Sequence, residues 1–242
     1  MAERDLNAET RYIPKPVVPS LRGGFDEKIG IIGAGPAGLS CAYYLALSGY
    51  KPTVFEKNAE PGGMLRYGIP SYKLEKNLLA AEIDVIRELG VEIRCGVEIG
   101  KDITLDQLRA EGYKGFYVAI GCQKGRMPGV SGQDAAGAST AVDFLREAGA
   151  REDFDFEGDV VVVGGGNVAI DVARISSRCT DHQVSLFCLE QREEMPASEE
   201  EISEALGEGI QLNPGWGMKE ILEEEGRVCG VVFKKLRSRV QR

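Results

Sequence analysis

An α/β fold in two units with parallel sheets, the second carrying an added β-hairpin, is predicted by three features of this sequence. Residues 28–57 run as a short apolar strand (Ile29, Ile31, Ile32), the turn Gly33-Ala34-Gly35-Pro36-Ala37-Gly38, a helical stretch ending near Gly49, and a second strand (Thr53, Val54, Phe55) closing on Glu56. The same order returns after Asp159. A strand over residues 160–163 leads into Gly164-Gly165-Gly166-Asn167-Val168-Ala169, then a helix (Ile170, Val172, Ala173, Ile175) and a strand over 184–189. Near the end, the runs 218–222 and 228–235 flank Glu225-Gly226 as two hairpin strands flank a turn.

A lone G-x-G-x-x-G is a weak signal. Between a strand and a helix, with an acidic residue roughly 20 positions on, it is a dinucleotide-binding fingerprint. Gly33 allows the tight turn, Gly35 lets backbone approach a pyrophosphate, and Gly38 lets the helix pack close to the strand. The free amides at the helix start, with the helix dipole behind them, favour phosphate. Glu56 is placed to accept hydrogen bonds from the hydroxyls of an adenosine ribose. A plain glycine turn in an ordinary α/β domain is the alternative for one copy. Two copies in strand–turn–helix context point to two Rossmann-like dinucleotide-binding domains, over residues 25–130 and 131–242.

Residues 1–24 have little periodicity and carry Pro14, Pro16 and Pro19, which reads as an extended arm. Beyond the first strand–turn–helix–strand unit comes Glu60-Pro61-Gly62-Gly63-Met64-Leu65-Arg66-Tyr67-Gly68-Ile69-Pro70. Met64, Leu65, Tyr67 and Ile69 are unusual in a surface loop, so this stretch is a candidate to cover a flat cofactor. An amphipathic helix over 75–89 follows (Leu78, Leu79, Ile83, Ile86, Leu89), stopped by Gly90. A strand over 91–94, a helix opened by the capping box Thr104/Gln107, and a buried strand over 116–120 ending at Gly121 come next. Residues 129–137 read as a crossing segment before a short helix over 140–148. In the second unit, Met195-Pro196-Ala197 leads to a helix opened by the capping box Ser198/Glu201. The glutamates over 193–204 and 220–225 read as solvated faces, not as metal ligands.

With 242 residues, 43% of them hydrophobic, the chain can bury one large core or two modest ones. A net charge of -9 argues against nucleic acid as the main partner. The basic cluster Lys234, Lys235, Arg237, Arg239 and Arg242 reads as a solvated strand edge. No secretory leader pattern opens the sequence, and no apolar run approaches the roughly 20 residues of a membrane helix, so a cytoplasmic protein without a membrane span is expected. Cys41, Cys95, Cys122, Cys179, Cys188 and Cys229 are scattered with no C-x-x-C pair. This leaves no recognisable iron–sulfur or zinc ligand set and no thioredoxin-type dithiol, and reduced, mostly packed thiols are expected. His182, the only histidine, is expected at the surface and gives His-based catalysis little to build on.

The two glycine turns, Glu56-Lys57, the loop over 62–70 and Met195-Pro196-Ala197 resemble those of the glutamate synthase small subunit. They are similar also in its relatives, the NADH-dependent electron-bifurcating flavoproteins and the N-terminal part of dihydropyrimidine dehydrogenase. The resemblance covers residues 12–236 and is most specific in the loop over 62–70. It implies FAD on the first turn, with pyrophosphate at Gly33, Gly35, Pro36, Ala37 and Gly38 and ribose at Glu56 beside Lys57. It implies the flavin ring near Gly63, Leu65, Arg66 and Ile69, with Met64 of the same loop also cofactor-binding, Val97 by the adenine, and Gly121 closing the site. NAD(P)H would bind at Gly164, Gly165, Gly166, Asn167, Val168 and Ala169. The implied reaction is hydride transfer from nicotinamide to flavin, with electrons passed to an iron–sulfur domain or subunit. Such chemistry needs no acid–base residue of the protein's own. Arg66 is either a cation stabilising reduced anionic flavin or a surface ion pair.

Two departures from the family alter the expectation. Its NADPH-using members carry Tyr-Arg-Arg where this sequence has Cys188, Leu189 and Glu190. A carboxylate at Glu190 repels a 2′-phosphate and accepts ribose hydroxyls, so NADH is expected over NADPH, with Arg192 close enough to restore some NADPH binding. The family's N-terminal iron–sulfur domain and its returning Gly-Asp segment have no counterpart here, so a chain truncated at both ends, with an incomplete second domain, is expected. The competing expectation is a non-catalytic nucleotide-binding or scaffold fragment of a larger electron-transfer complex. A disulfide reductase would need a cysteine pair the sequence lacks.

Overall fold

Short β-branched runs alternating with amphipathic helices form two separate parallel sheets in the computed structural model, which describes residues 24–151, 155 and 158–236. The expected arm, apart from Gly24, and Arg237, Arg239 and Arg242 of the basic cluster lie outside the described residues. The chain divides into two compact units, Met1–Cys122 and Gln123–Arg242.

The first unit runs β1 (Lys28–Ile32), α1 (Pro36–Leu47), β2 (Lys51–Glu56), α2 (Met64–Tyr67), α3 (Lys76–Glu88), β3 (Glu92–Cys95), α4 (Leu105–Ala110) and β4 (Tyr113–Val118). Its strands are parallel in the order β3-β2-β1-β4. Val54 and Phe55 point to opposite faces of β2 and both are buried, as a strand covered on both sides requires. On one face Ile31 and Val54 pack with Leu39 and Ala42 of α1 and Leu79 and Ile83 of α3. The last two stand four residues apart on one helical face. Each fully buried side chain of this size contributes about 1.5–3 kcal/mol. On the other face Phe55 meets Leu108 and Tyr113.

The strand expected to be buried over 116–120 differs from β4. It begins at Tyr113, ends at Val118, and leaves Val118 and Ile120 61% and 64% exposed. Among the described residues β4 is a sheet edge, paired only with β1. The cluster around α4 reaches Tyr113 and Phe116 and stops there.

The second unit runs α5 (Ala141–Ala150), β5 (Val160–Val163), α6 (Asn167–Arg178), β6 (Val184–Cys188), a 3-10 turn (Arg192–Glu194), α7 (Glu199–Gly207), β7 (Gln211–Pro214), β8 (Trp216–Glu224) and β9 (Arg227–Lys235). The parallel sheet has the order β5-β6-β7, and β8 and β9 form the expected antiparallel hairpin. Glu225 and Gly226 both have positive φ, 51° and 77°, the pairing a tight two-residue hairpin turn demands. β7 was not apparent from the sequence. Its Gln-Leu-Asn-Pro has one apolar residue and ends in proline, which only a sheet edge tolerates. The hairpin stacks Phe233 of β9 on Phe187 of β6, with ring centroids 3.9 Å apart.

The division at Cys122/Gln123 precedes the 130/131 boundary expected from the sequence. Gln123 accepts a hydrogen bond from Arg146 of α5 at 2.8 Å, and Ser131 accepts one from the Ile221 amide of β8 at 2.9 Å. These bonds tie the crossing segment to the second unit. Arg174 of α6, 7% exposed, pairs with Glu204 and with Glu208, the latter at 2.7 Å, which joins α6 to α7. No group of residues that could hold a metal ion occurs among the described residues, and no described helix is long and apolar enough to cross a membrane.

Candidate nucleotide-binding sites

β1 delivers the chain into Gly33, which has φ 104°, and a β-carbon there would overlap the Ala119 carbonyl. Only glycine fits. The Gly33 amide donates to the Phe55 carbonyl at 2.8 Å, and the Ala34 amide donates to Glu56 Oε2 at 2.8 Å. Glu56 is 4% exposed, and its Oε1 accepts from the amide and side-chain nitrogen of Asn58 at 2.9 and 2.7 Å. The carboxylate thus locks the turn to the end of β2. A β-carbon at Gly38 would fall inside the Gly33 carbonyl oxygen, so the helix rests directly on the turn. α1 starts at Gly35 with Pro36 in its first turn, no side-chain cap and no acidic residue there.

The loop after β2 lies on this turn. The Gly62 amide donates to the Ala34 carbonyl at 2.8 Å, and a β-carbon on Gly63 would lie 2.8 Å from Gly35 Cα. Val97 donates to the Glu56 carbonyl at 2.9 Å, which brings it to the same strand end. Lys57 is exposed, and Gly121, with φ 67°, faces open space two residues beyond the Ala119 contact. Met64, Leu65, Arg66 and Ile69 are half-buried. Arg66 forms an ion pair with Glu60 at 2.7 Å and donates from Nε to the Pro61 carbonyl at 3.1 Å. Lys76, which sequence reasoning missed, donates to the Leu65 and Ile69 carbonyls at 2.9 and 2.5 Å. Its signal was readable: a lysine opens α3, where the helix dipole favours an acid.

The second turn repeats two of these bonds. Gly164 donates to the Phe187 carbonyl at 2.8 Å, and the Gly165 carbonyl accepts from the Ala197 amide at 3.0 Å. α6 starts at Gly166 with no side-chain cap and no acid in its first turn. Gly166 has no neighbour within 4 Å of a would-be β-carbon, and Val168 is 52% exposed. A β-carbon on Gly164 would lie 3.1 Å from Ala169, which closes the turn. Asn167 Oδ1 accepts the Ser198 amide at 3.0 Å. The capping box expected at Ser198/Glu201 is therefore replaced in one half. Ser198 Oγ accepts the Glu201 amide at 3.3 Å, while the Ser198 amide is held by Asn167.

By register, Cys188 takes the place that Glu56 has in the first unit, one residue past the phenylalanine that accepts the glycine amide. Cys188 is buried, and burial first, then the Glu190 charge, push its thiol above the ordinary value. Glu190 bends back, with its carboxylate against Gly165. Its carbonyl accepts the Gly215 amide at 2.8 Å, which fixes the backbone at the entry to β8. Arg192 is held in a two-pronged pair with Glu199 at 2.9 and 2.7 Å. All six cysteines are free; Cys122 and Cys229 are exposed, a departure from the expected packing at those two positions.

A sheet strand that runs into an uncapped, glycine-entered helix, twice over, with a later loop bonded onto each turn, defines a protein of two Rossmann-like units. Residues 27–237 match the pyridine nucleotide-disulphide oxidoreductase family, and the chain belongs to it. It is 42% identical over 208 residues to the NADP(+)-dependent formate dehydrogenase subunit beta of Moorella thermoacetica, covering 85% of this chain and 29% of the relative. It is 40% identical to the glutamate synthase [NADPH] small chain of Halomonas elongata, covering 77% of this chain and 42% of that one. It is also 40% identical to the NAD-dependent dihydropyrimidine dehydrogenase subunit PreT of Escherichia coli O157:H7, covering 78% and 45%. The chain thus spans less than half the length of these relatives. Among solved structures, Mycobacterium tuberculosis FprA in complex with NADPH shares the fold, with a TM-score of 0.73 at 18% identity over 89% of this chain and 66% of that one.

Proposed function

We propose that this chain is the flavoprotein part of an oxidoreductase that takes hydride from NADH onto FAD and passes electrons to an iron–sulfur domain or subunit. The observation that carries the proposal is the repeated turn, with Gly33 bonded to Phe55 and Gly164 to Phe187. In each copy a following loop is bonded onto the middle residue of the turn.

The first turn fits FAD. Amides at the start of α1 have no side-chain cap, and Gly35 and Gly63 present backbone without a β-carbon. Glu56 spends three hydrogen bonds on the protein; a carboxylate accepts about four, so Oε2 keeps capacity for a ribose hydroxyl. The half-buried Met64, Leu65 and Ile69 offer the apolar wall a flat ring needs, with Val97 and Gly121 toward the strand ends. Bound FAD supplies the hydride-accepting and electron-passing chemistry. The chain's own part is to hold the pyrophosphate at residues 33–38, orient the ring with the loop, and keep a cation, Arg66, close by.

The second turn takes the nicotinamide nucleotide at residues 164–169. Glu190 favours NADH, because its carboxylate lies over Gly165, where it accepts ribose hydroxyls and repels a 2′-phosphate. Arg192, the nearby cation, is engaged by Glu199. The names of the relatives include both NAD- and NADP-dependent enzymes, so coenzyme choice rests on these side chains. The relatives are named as subunits or chains of larger enzymes, which supports an electron-accepting partner.

The test is a visible absorption spectrum of the purified chain after incubation with FAD, followed by anaerobic addition of each coenzyme. A retained flavin band bleached faster by NADH than by NADPH is expected. A colourless chain that binds NADH would overturn the proposal in favour of a non-catalytic nucleotide-binding module.

A further inference from the structure

Five backbone carbonyls of the 62–69 loop can be followed to a donor. The Gly62 carbonyl accepts from Leu65, Gly63 from Arg66 and Tyr67, and Met64 from Gly68 and Ile69, all backbone amides. The Leu65 and Ile69 carbonyls receive the Lys76 ammonium instead, at 2.9 and 2.5 Å. A one-turn helix cannot answer its own last carbonyls. Here a side chain from the next helix does so.

The other end of the loop is cross-tied by its own residues. Tyr67 Oη bridges the amide and carbonyl of Glu60 at 3.0 and 3.3 Å, and Arg66 grips Glu60 and Pro61. Gly62 is bonded to Ala34 of the glycine turn, with Leu79 of α3 packed against it. One end of the strap is therefore fixed to the turn and to itself, and Lys76 fixes the other.

Lys76 stands at the first position of α3, where its charge meets the positive end of the helix dipole. Burial, and then the Arg66 guanidinium, hold its ammonium below the ordinary lysine value. A half-buried cation in that place is costly unless strong acceptors compensate it, and the two carbonyls are those acceptors.

We propose that Lys76 is the positioning residue of this loop: by clamping the Leu65 and Ile69 carbonyls it holds residues 62–69 in the shape that receives the flavin ring. This rests on the reading that the first unit takes FAD. The loop shape can be measured without cofactor, and ring placement only with it.

Lys76→Met and Lys76→Gln in the 242-residue chain test it by amide hydrogen exchange and by titration with FAD and NADH. Exchange at the Gly68 and Ile69 amides is expected to speed up roughly tenfold or more, with β1 and β2 amides unchanged as the control for folding. FAD affinity is expected to fall roughly tenfold or more with a shifted flavin spectrum, while NADH affinity stays as in the parent; Lys76→Arg restores part of both. Unchanged exchange at residues 68 and 69 in both variants overturns the proposal. A loosened loop with unchanged FAD affinity overturns the positioning role and leaves the flavin reading standing. A parent chain that binds no FAD overturns the flavin reading, and the positioning role with it.

Discussion

Glu190 and Gly165 are packed so closely that a β-carbon on residue 165 would lie 2.7 Å from Glu190 Oε2. The carboxylate of the residue two positions beyond β6 thus sits on the middle residue of the second glycine turn. Glu190→Arg removes a repulsive charge from that place and installs a phosphate-binding one. The kcat/KM ratio of NADPH to NADH should rise by about tenfold or more. An unchanged ratio would show that the ribose of the coenzyme lies elsewhere.

The pair of Arg192 with Glu199 controls the other cation of this region. The Arg192 hydrogen bond holds the Glu199 carboxyl below its ordinary value of 4.5. A depressed carboxylate value means that the pair persists above the ordinary value and is lost only as pH falls through the lowered one. Arg192 should therefore stay engaged across the neutral range. A pH-dependent change of the coenzyme ratio there should follow the second ionisation of the 2′-phosphate, at about pH 6, rather than this pair. Glu199→Gln releases Arg192 and should tighten NADPH binding several-fold while leaving NADH unchanged, as read by equilibrium titration.

Two glycines separate folding from binding. A β-carbon on Gly38 would fall inside the Gly33 carbonyl, so Gly38→Ala forces α1 off β1 and should cost about 1–3 kcal/mol or more in denaturant unfolding. Gly166 faces open space, with ordinary extended φ of -99°. Gly166→Ala should cost less than about 1 kcal/mol in stability, yet weaken NADH binding clearly, because the added methyl stands where backbone must approach the pyrophosphate.

Asn167 joins the second turn to the start of α7 through the Ser198 amide. Asn167→Ala leaves that amide without its acceptor and should lower stability by about 1 kcal/mol. Asn167→Asp keeps the acceptor and adds a negative charge at the start of α6. It should retain stability in thermal unfolding and lose nucleotide affinity in titration.

Much of the fold was legible because it is written in local patterns. Gly33 and Gly164 mark turns that need positive φ, and Leu79 and Ile83 mark a helix face by their spacing. The Thr104/Gln107 capping box forms in both directions, as its three-residue spacing implies. The misses share one cause. β7 is held by its neighbour β6 more than by its own composition, and β4 looks buried in sequence but is an edge. Half of the Ser198 box is displaced because Asn167, 31 residues earlier, reaches the same amide first.

By itself, the sequence determined the two-unit α/β architecture, the places of both glycine turns, the closing hairpin and the likeness to the glutamate synthase small subunit. These depend on backbone dihedrals and on periods of two and 3.6 residues, which a chain sets within a few positions. Only the tertiary structure decided what the side chains around the turns do. It folded Glu190 back over Gly165, engaged Arg192 with Glu199, sealed three hydrogen bonds onto Glu56 and aimed Lys76 at the loop before it. Long flexible side chains choose partners by distance in space and by the cost of leaving a buried polar group unanswered, and neither is a property of neighbours in sequence.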